Sequence, residues 1–161
     1  ELDDTKLIIT VVIIQLVAIA GAVMMSRLSQ RFGNIKVLMG VVLFWIVICV
    51  WAYYAAWFKE HGGNPEFHFY GLSVAVGLVM GGIQSLSRST YSKLMPETKD
   101  TASFFSFYDV TEKLAIVIGL FTFGVIEGMY SIRQSILSLV VFFAIGFIAL
   151  LFTAATEKKH S

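Results

Sequence analysis

The residues best placed to do chemistry in this 161-residue sequence are three charged groups set into an apolar run. Phe104, Phe105, Ser106, Phe107 and Tyr108 lead into Asp109, Val110, Thr111, Glu112 and Lys113. Within hydrocarbon each ionised side chain costs several kcal/mol unless it is paired or hydrated. Asp109 and Lys113 are four residues apart with the acid first, so on a helix they share a face and can pair. Lys113 would attract an anionic group, while Asp109 would set its charge or exchange a proton. Glu112 points about 100° away from Lys113 on the same turn, towards the inner surface or a neighbouring helix. The plainer alternative is a helix that starts in water, with Asp109 and Glu112 as N-terminal acids favoured by the helix dipole.

Three other polar residues stand in apolar surroundings. Gln15 lies about 13 Å from the start of the first apolar run at 1.5 Å per residue, where it would hydrogen-bond a solute or a neighbouring helix. Gln84 and Arg88 close the third run. Arg88 either extends to lipid headgroups or pairs with Asp109, which re-enters at the same side after a short connection. Lys113 itself would lie about 15 Å deep if its helix enters near Ser103.

Other chemistries find no support. There is no nucleophile–base set, metal-ligand spacing or glycine-rich phosphate loop, so neither an enzyme nor a resident metal or cofactor is expected. Cys49 is the sole cysteine and sits in an apolar run, which excludes an intrachain disulfide. A net charge of +1 argues against a nucleic-acid partner, which needs a clustered basic surface.

The elements that must position these groups are membrane helices. Hydrophobic residues make up 57% of the chain and charged residues 14%, where soluble chains carry about 25% charged residues. Five stretches approach the roughly 20 apolar residues that cross a hydrocarbon core of about 30 Å: 7–28, 37–58, 67–86, 104–126 and 136–155. Polar breaks at 29–36, 59–66, 88–101 and 127–134 separate them. Strands are excluded, because unpaired backbone groups are too costly in lipid and these runs are too long for barrel strands. The expected fold class is an all-α membrane protein of five transmembrane helices.

Lys and Arg distribution sets an expected orientation. Arg27, Arg31, Lys36, Arg88, Lys93, Lys99, Lys158 and Lys159 fall on one face of the alternation, and only Lys6, Lys59 and Arg133 on the other. The richer face is expected to be cytoplasmic, which puts the N-terminus outside and the C-terminus inside. The acids Glu1, Asp3, Asp4, Glu60, Glu66 and Glu127 gather on the outer face. Tyr53, Tyr54, Trp57 and Phe58 oppose Phe67, Phe69 and Tyr70 there as an interfacial belt, with His68 among them. Gly77, Gly81 and Gly82, and also Gly124 and Gly128, have the spacing of close helix contacts; Gly119 offers a bend.

The first polar connection carries Arg27, Leu28, Arg31, Gly33 and Lys36. It resembles the basic motif that joins the second and third helices in each half of major facilitator superfamily transporters, G-x-L-x-D-R-x-G-R-R/K. Leu28, Arg31, Gly33 and Lys36 fit it, whereas Ser26 replaces the leading glycine and Gln30 the aspartate. The acid that gates the cytoplasmic side in that family therefore has no counterpart here. Gly81, Gly82, Gln84, Ser87 and Arg88, then Leu94, Met95 and Pro96, then Phe105, Tyr108 and Lys113, resemble the vacuole-effluxer-like, autophagy-related branch and its bacterial relatives. Gly119 and Leu120 stand where that branch often has Gly-Pro. The similarity spans nearly the whole chain.

The resemblance implies that the five spans are helices eight to twelve of a twelve-helix transporter, without the seventh helix and the N-terminal half. Glu1 is not a natural start residue, which fits a chain cut from a longer protein. The function so implied is secondary transport, in the efflux direction, of a small polar or amphipathic solute such as an amino acid. The expected setting is a bacterial cytoplasmic membrane. Expected partners are the lipid bilayer, the missing part of the protein, the solute and, for an isolated fragment, further copies of itself. The alternative is a non-transporting scaffold or assembly subunit whose intramembrane charges pair with partner helices.

Overall fold

The computed structural model describes residues 4–62 and 66–160. Of the charges used for orientation, Glu1 and Asp3 lie outside the described residues, as do the side chains of Asp4, Lys6, Glu60, Glu66, Lys158 and Lys159. Among the described residues every regular element is a helix: α1 (Asp4–Phe32), α2 (Asn34–Glu60), α3 (Glu66–Leu94), α4 (Thr101–Met129) and α5 (Ile132–His160). The chain is an all-α, multi-pass membrane protein. Four segments are long and apolar enough to cross a membrane, namely Ile8–Phe32, Asn34–Lys59, Phe67–Leu94 and Ile132–Thr156. Helix α4 is as long, at 29 residues, but interrupts its apolar run with Asp109, Glu112, Lys113 and Glu127.

The helices outrun the apolar stretches at both ends. A 29-residue helix is about 43 Å long at 1.5 Å per residue, against a hydrocarbon core of about 30 Å. The polar residues assigned to connections at 29–36 and 88–101 are therefore mostly helical, since a helix satisfies its own backbone in water as in lipid. The breaks contract to Gly33 between α1 and α2 and to 95–100 between α3 and α4. Gly33 turns the chain at φ 90°, a conformation that other residues rarely adopt. Asp100 caps α4 by accepting from the Ser103 backbone N–H at 3.2 Å. Hydrogen bonding from Ser103 holds its carboxyl below the usual range.

Helix α3 packs against α1 and α2, α2 also packs on α5, and among the described residues α4 touches only α5 through its backbone. The α1–α3 seam is the tightest. A Cβ at Gly81 would come within 2.1 Å of the Ala18 carbonyl oxygen, and one at Gly21 within 1.9 Å of the Leu78 oxygen. Gly77 approaches Ile14 in the same way, and Gly82 meets Met25. The spacing reading thus holds for α3, with Gly21 an addition from α1. It does not hold for Gly124 and Gly128, which have nothing near their Cβ positions among the described residues. Helix α4 also runs unbroken through Gly119. The core forms where α1, α2 and α3 converge, around Met25, Val37, Leu38, Val41, Ile48, Val79 and Leu86. Trp45 stacks on Phe143 to join α2 to α5, with ring centroids 5.3 Å apart.

At the face opposite Gly33, Arg133 donates to the Tyr53 hydroxyl at 2.7 Å and lies over its ring. Trp51 Nε1 donates to His68 Nδ1 at 3.2 Å, and Phe58 meets the His68 ring edge-on. These contacts tie the aromatic ends of α2 and α3 together.

The α1–α3 seam yields a prediction. Gly81→Ala forces the two backbones apart and should destabilise the purified protein by about 1–3 kcal/mol, the usual cost of overpacking. Gly40→Ala, with nothing within 4 Å of its Cβ position, should leave stability unchanged or slightly raised. Thermal unfolding in detergent distinguishes the two.

Candidate functional site

A cleft of about 390 Å3 separates α3 from α4, lined by Gln84, Ser85, Arg88, Tyr108, Glu112 and Lys113. It exists because the two helices part beyond their short connection. Their backbones do not pack, and α4 buries no residue of its own. Side chains bridge the gap near 95–100. The Tyr91 hydroxyl donates to the Phe104 carbonyl at 3.0 Å, and the Tyr91 ring meets those of Phe105 and Tyr108. Beyond this aromatic clasp, Arg88 Nη2 donates to Asp109 Oδ1 at 2.5 Å. The same guanidinium lies 5.7 Å from the centre of the Tyr108 ring, within the range of a cation–π contact.

Four of the sequence-derived candidates thus line one cavity: Gln84, Arg88, Glu112 and Lys113. Asp109 joins them through Arg88. The structure pairs Asp109 with Arg88 and not with Lys113, which forms no ion pair among the described residues. The reason is reach. A planar guanidinium from the facing helix approaches the carboxylate directly, with the geometry that favours Arg–carboxylate contacts. Lys113, about 18 Å along α4 from Thr101 at 1.5 Å per residue, keeps its ammonium for the cleft. Gln15 is exposed on α1 and stands outside this cavity.

The chemical capacity of the cleft follows from its lining. Lys113 supplies a cation, Glu112 an anion on the adjacent residue, and Gln84, Ser85 and Tyr108 neutral hydrogen-bonding groups. The pair Arg88–Asp109 stands between these groups and the 95–100 connection.

A second polar cluster lies at the Gly33 turn, where Arg27, Arg31, Gly33 and Lys36 mark the basic motif. Arg27, Arg31 and Lys36 are exposed. Beside them Asn34 is buried. Its Oδ1 accepts from the Ser29 hydroxyl and from Lys93 Nζ at 2.9 Å, and its Nδ2 donates to Ser89 Oγ at 3.0 Å. Sequence reasoning missed this node. The available signal was a polar amide directly after the helix-breaking glycine, with Ser89 and Lys93 spaced four apart on one face of α3.

Comparison with known proteins gives a consistent result. The family model described as vacuole effluxer Atg22 like matches residues 1–161. An uncharacterized MFS-type transporter of Bacillus subtilis is 30% identical over 153 residues, which cover 94% of this chain and 33% of that protein. Autophagy-related protein 22 of Kluyveromyces lactis is 29% identical over 150 residues, covering 91% of this chain and 30% of the relative. Its counterpart in Eremothecium gossypii is 36% identical over 86 residues, covering 53% and 17%. The chain spans about a third of the length of the first two relatives. No solved structure matches.

The Asn34 node generates the prediction here. Asn34→Ala leaves Ser29, Ser89 and Lys93 without their shared partner, and buried groups so orphaned cost about 1–3 kcal/mol. Thermal unfolding should show that loss. Asn34→Asp, which keeps the acceptor for Ser29 and Lys93, should lose less.

Proposed function

The chain belongs to the vacuole effluxer Atg22-like family, a transporter family of MFS type, and on that premise we propose that it forms part of one half of a secondary transporter. The single observation that carries the reading is the charged cleft between α3 and α4, lined by Arg88, Glu112 and Lys113 within otherwise apolar helices. Intramembrane ionisable groups that face a cavity are the usual mark of a solute or proton path. In this reading α4 crosses the membrane with the other four helices, and the five correspond to helices eight to twelve of a twelve-helix protein.

The proposed solute is small and polar or amphipathic, with an amino acid as the leading example, and the direction is efflux. Lys113 receives its carboxylate or other anionic group, and Glu112 faces its ammonium group. Gln84, Ser85 and Tyr108 supply the neutral contacts that fix orientation. Asp109 is the candidate proton carrier. Arg88 holds it at the edge of the cleft, and separation of α3 from α4 would break that contact. Alternating access then opens the cleft to one side at a time as the two halves rock. The basic excess on the face carrying Arg27, Arg31, Lys36, Lys93 and Lys99 supports a cytoplasmic position for it, with the N-terminal end of this chain outside in this reading.

A scaffold role is the competing reading, and the absence of buried residues on α4 favours it to the extent that a partner helix covers that face. Crosslinking from Glu112 separates the two. Stoichiometric capture of a different membrane protein supports a scaffold, whereas capture within the same polypeptide supports a transporter wall.

Transport by the full-length protein in liposomes tests the proposal. Lys113→Ala should lower solute flux at least about tenfold, equivalent to about 1.4 kcal/mol, and unchanged flux across a broad solute panel removes Lys113 from the mechanism. Arg88→Asp and Asp109→Arg should each abolish most transport, and the double exchange should restore a substantial part of it.

A further inference from the structure

Two cavities meet at the turn joining α1 to α2. One, of about 250 Å3, lies against the C-terminal end of α3 and is lined by Asn34, Lys36, Thr90 and Lys93 among others. The second, of about 400 Å3, is a groove between α1 and α2 with Leu28, Val41 and Phe44 on its walls. Phe32 and Lys36 line both, so they form one continuous surface with a basic end and an apolar end.

The groove is open because of how the helices divide their contacts. Helix α1 packs chiefly on α3, and α2 on α3 and α5, so the pair joined at Gly33 pack on each other far less than on those neighbours. Gly40 adds to the gap, having no heavy atom within 4 Å of its Cβ position. From Lys36 to Phe44 the surface runs about 12 Å along α2, from the polar helix end into a membrane-spanning segment.

Charge decides what fits the basic end. Among the described residues neither lining contains an acid. The Lys93 ammonium donates to Asn34 Oδ1 at 2.9 Å, so a neutral amide fixes its position and leaves its charge uncompensated. Lys36 is exposed beside it. Two cations at the interface above an apolar groove match a phosphate joined to acyl chains.

We propose that this surface binds one anionic phospholipid, with its phosphate at Lys36 and Lys93 and an acyl chain along the α1–α2 groove. The site is separate from the α3–α4 cleft and does not rest on the transport reading. A zwitterionic lipid is disfavoured because it brings its own cation to the two lysines. Free phosphate would use the basic end alone, and an apolar protein segment would fill the groove without needing the lysines.

Native mass spectrometry of the full-length protein, supplied with equal phosphatidylglycerol and phosphatidylcholine, tests the assignment. Wild type should retain one phosphatidylglycerol. Its occupancy should fall at least about tenfold, or by about 1.4 kcal/mol, in Lys36→Gln/Lys93→Gln. Gly40→Phe fills the groove without touching either lysine and should produce a comparable loss, whereas Lys99→Gln should not. Millimolar inorganic phosphate should fail to displace the lipid. Should loss of Lys93 disturb Asn34 and unfold the protein, Lys36→Gln alone carries the test, because this side chain lies exposed at the rim. Equal retention of the two lipids overturns the proposal, as does unchanged retention in the lysine variants or Gly40→Phe. Displacement by phosphate, or capture of a protein segment by a photoreactive residue at position 44, also overturns it.

Discussion

Arg88 and Asp109 join two helices whose backbones otherwise stand apart, and the arrangement of polar groups between α3 and α4 depends on that contact. Both side chains are about half exposed in this chain, at 56% and 51%. An ion pair so open to water contributes about 0–1 kcal/mol, so stability is not its main product. Its consequence is register. With Asp109 engaged by α3, the next turn of α4 presents Glu112 and Lys113 to the same cleft. Without an opposite charge from α3, Asp109 would be an unpaired acid in an apolar helix, which membranes tolerate poorly.

The bundle divides mechanically along the same line. Helices α1 and α3 approach until glycine is required at Gly21, Gly77 and Gly81, and contacts that close resist sliding. Helix α4 is held by α5 and by side chains from α3, and it buries nothing. A rigid wall therefore faces a helix attached at its edge. The Asn34 node strengthens the rigid side by tying the Gly33 turn to the end of α3 through Ser89 and Lys93. None of the three partners of Asn34 is an acid, although the related family motif places an aspartate near this turn.

Much of this was legible in the residues themselves. Hydropathy located all five helices, because backbone in lipid has few alternatives to the helix. It underestimated their length, since periodicity in apolar character ends at the headgroups while the helix does not. The glycine spacing in α3 was informative because α1 faces each residue, with a backbone carbonyl at Gly77 and Gly81 and the Met25 side chain at Gly82. The same spacing at Gly124 and Gly128 has no facing element among the described residues. Local spacing also favoured Asp109 with Lys113, while the observed partner comes from another helix. Sequence offers i and i+4 neighbours directly but gives long-range partners only as alternatives, and Arg88 was one of two. Asn34 escaped notice because its three contacts come from Ser29 across the turn and from Ser89 and Lys93 on α3, pairings that hydropathy does not register.

Transport through this half requires Lys113 to occupy a solute-accessible cleft inside the membrane. The direct measurement is accessibility of a cysteine at that position, in a Cys49→Ser background of the full-length protein, to membrane-impermeant thiol reagents applied from each side. The cleft geometry predicts labelling that is slow, available from one side at a time, and suppressed by transported solute. Rapid labelling from the cytosol in every condition, indifferent to solute, would place position 113 at a wet helix end and contradict the account.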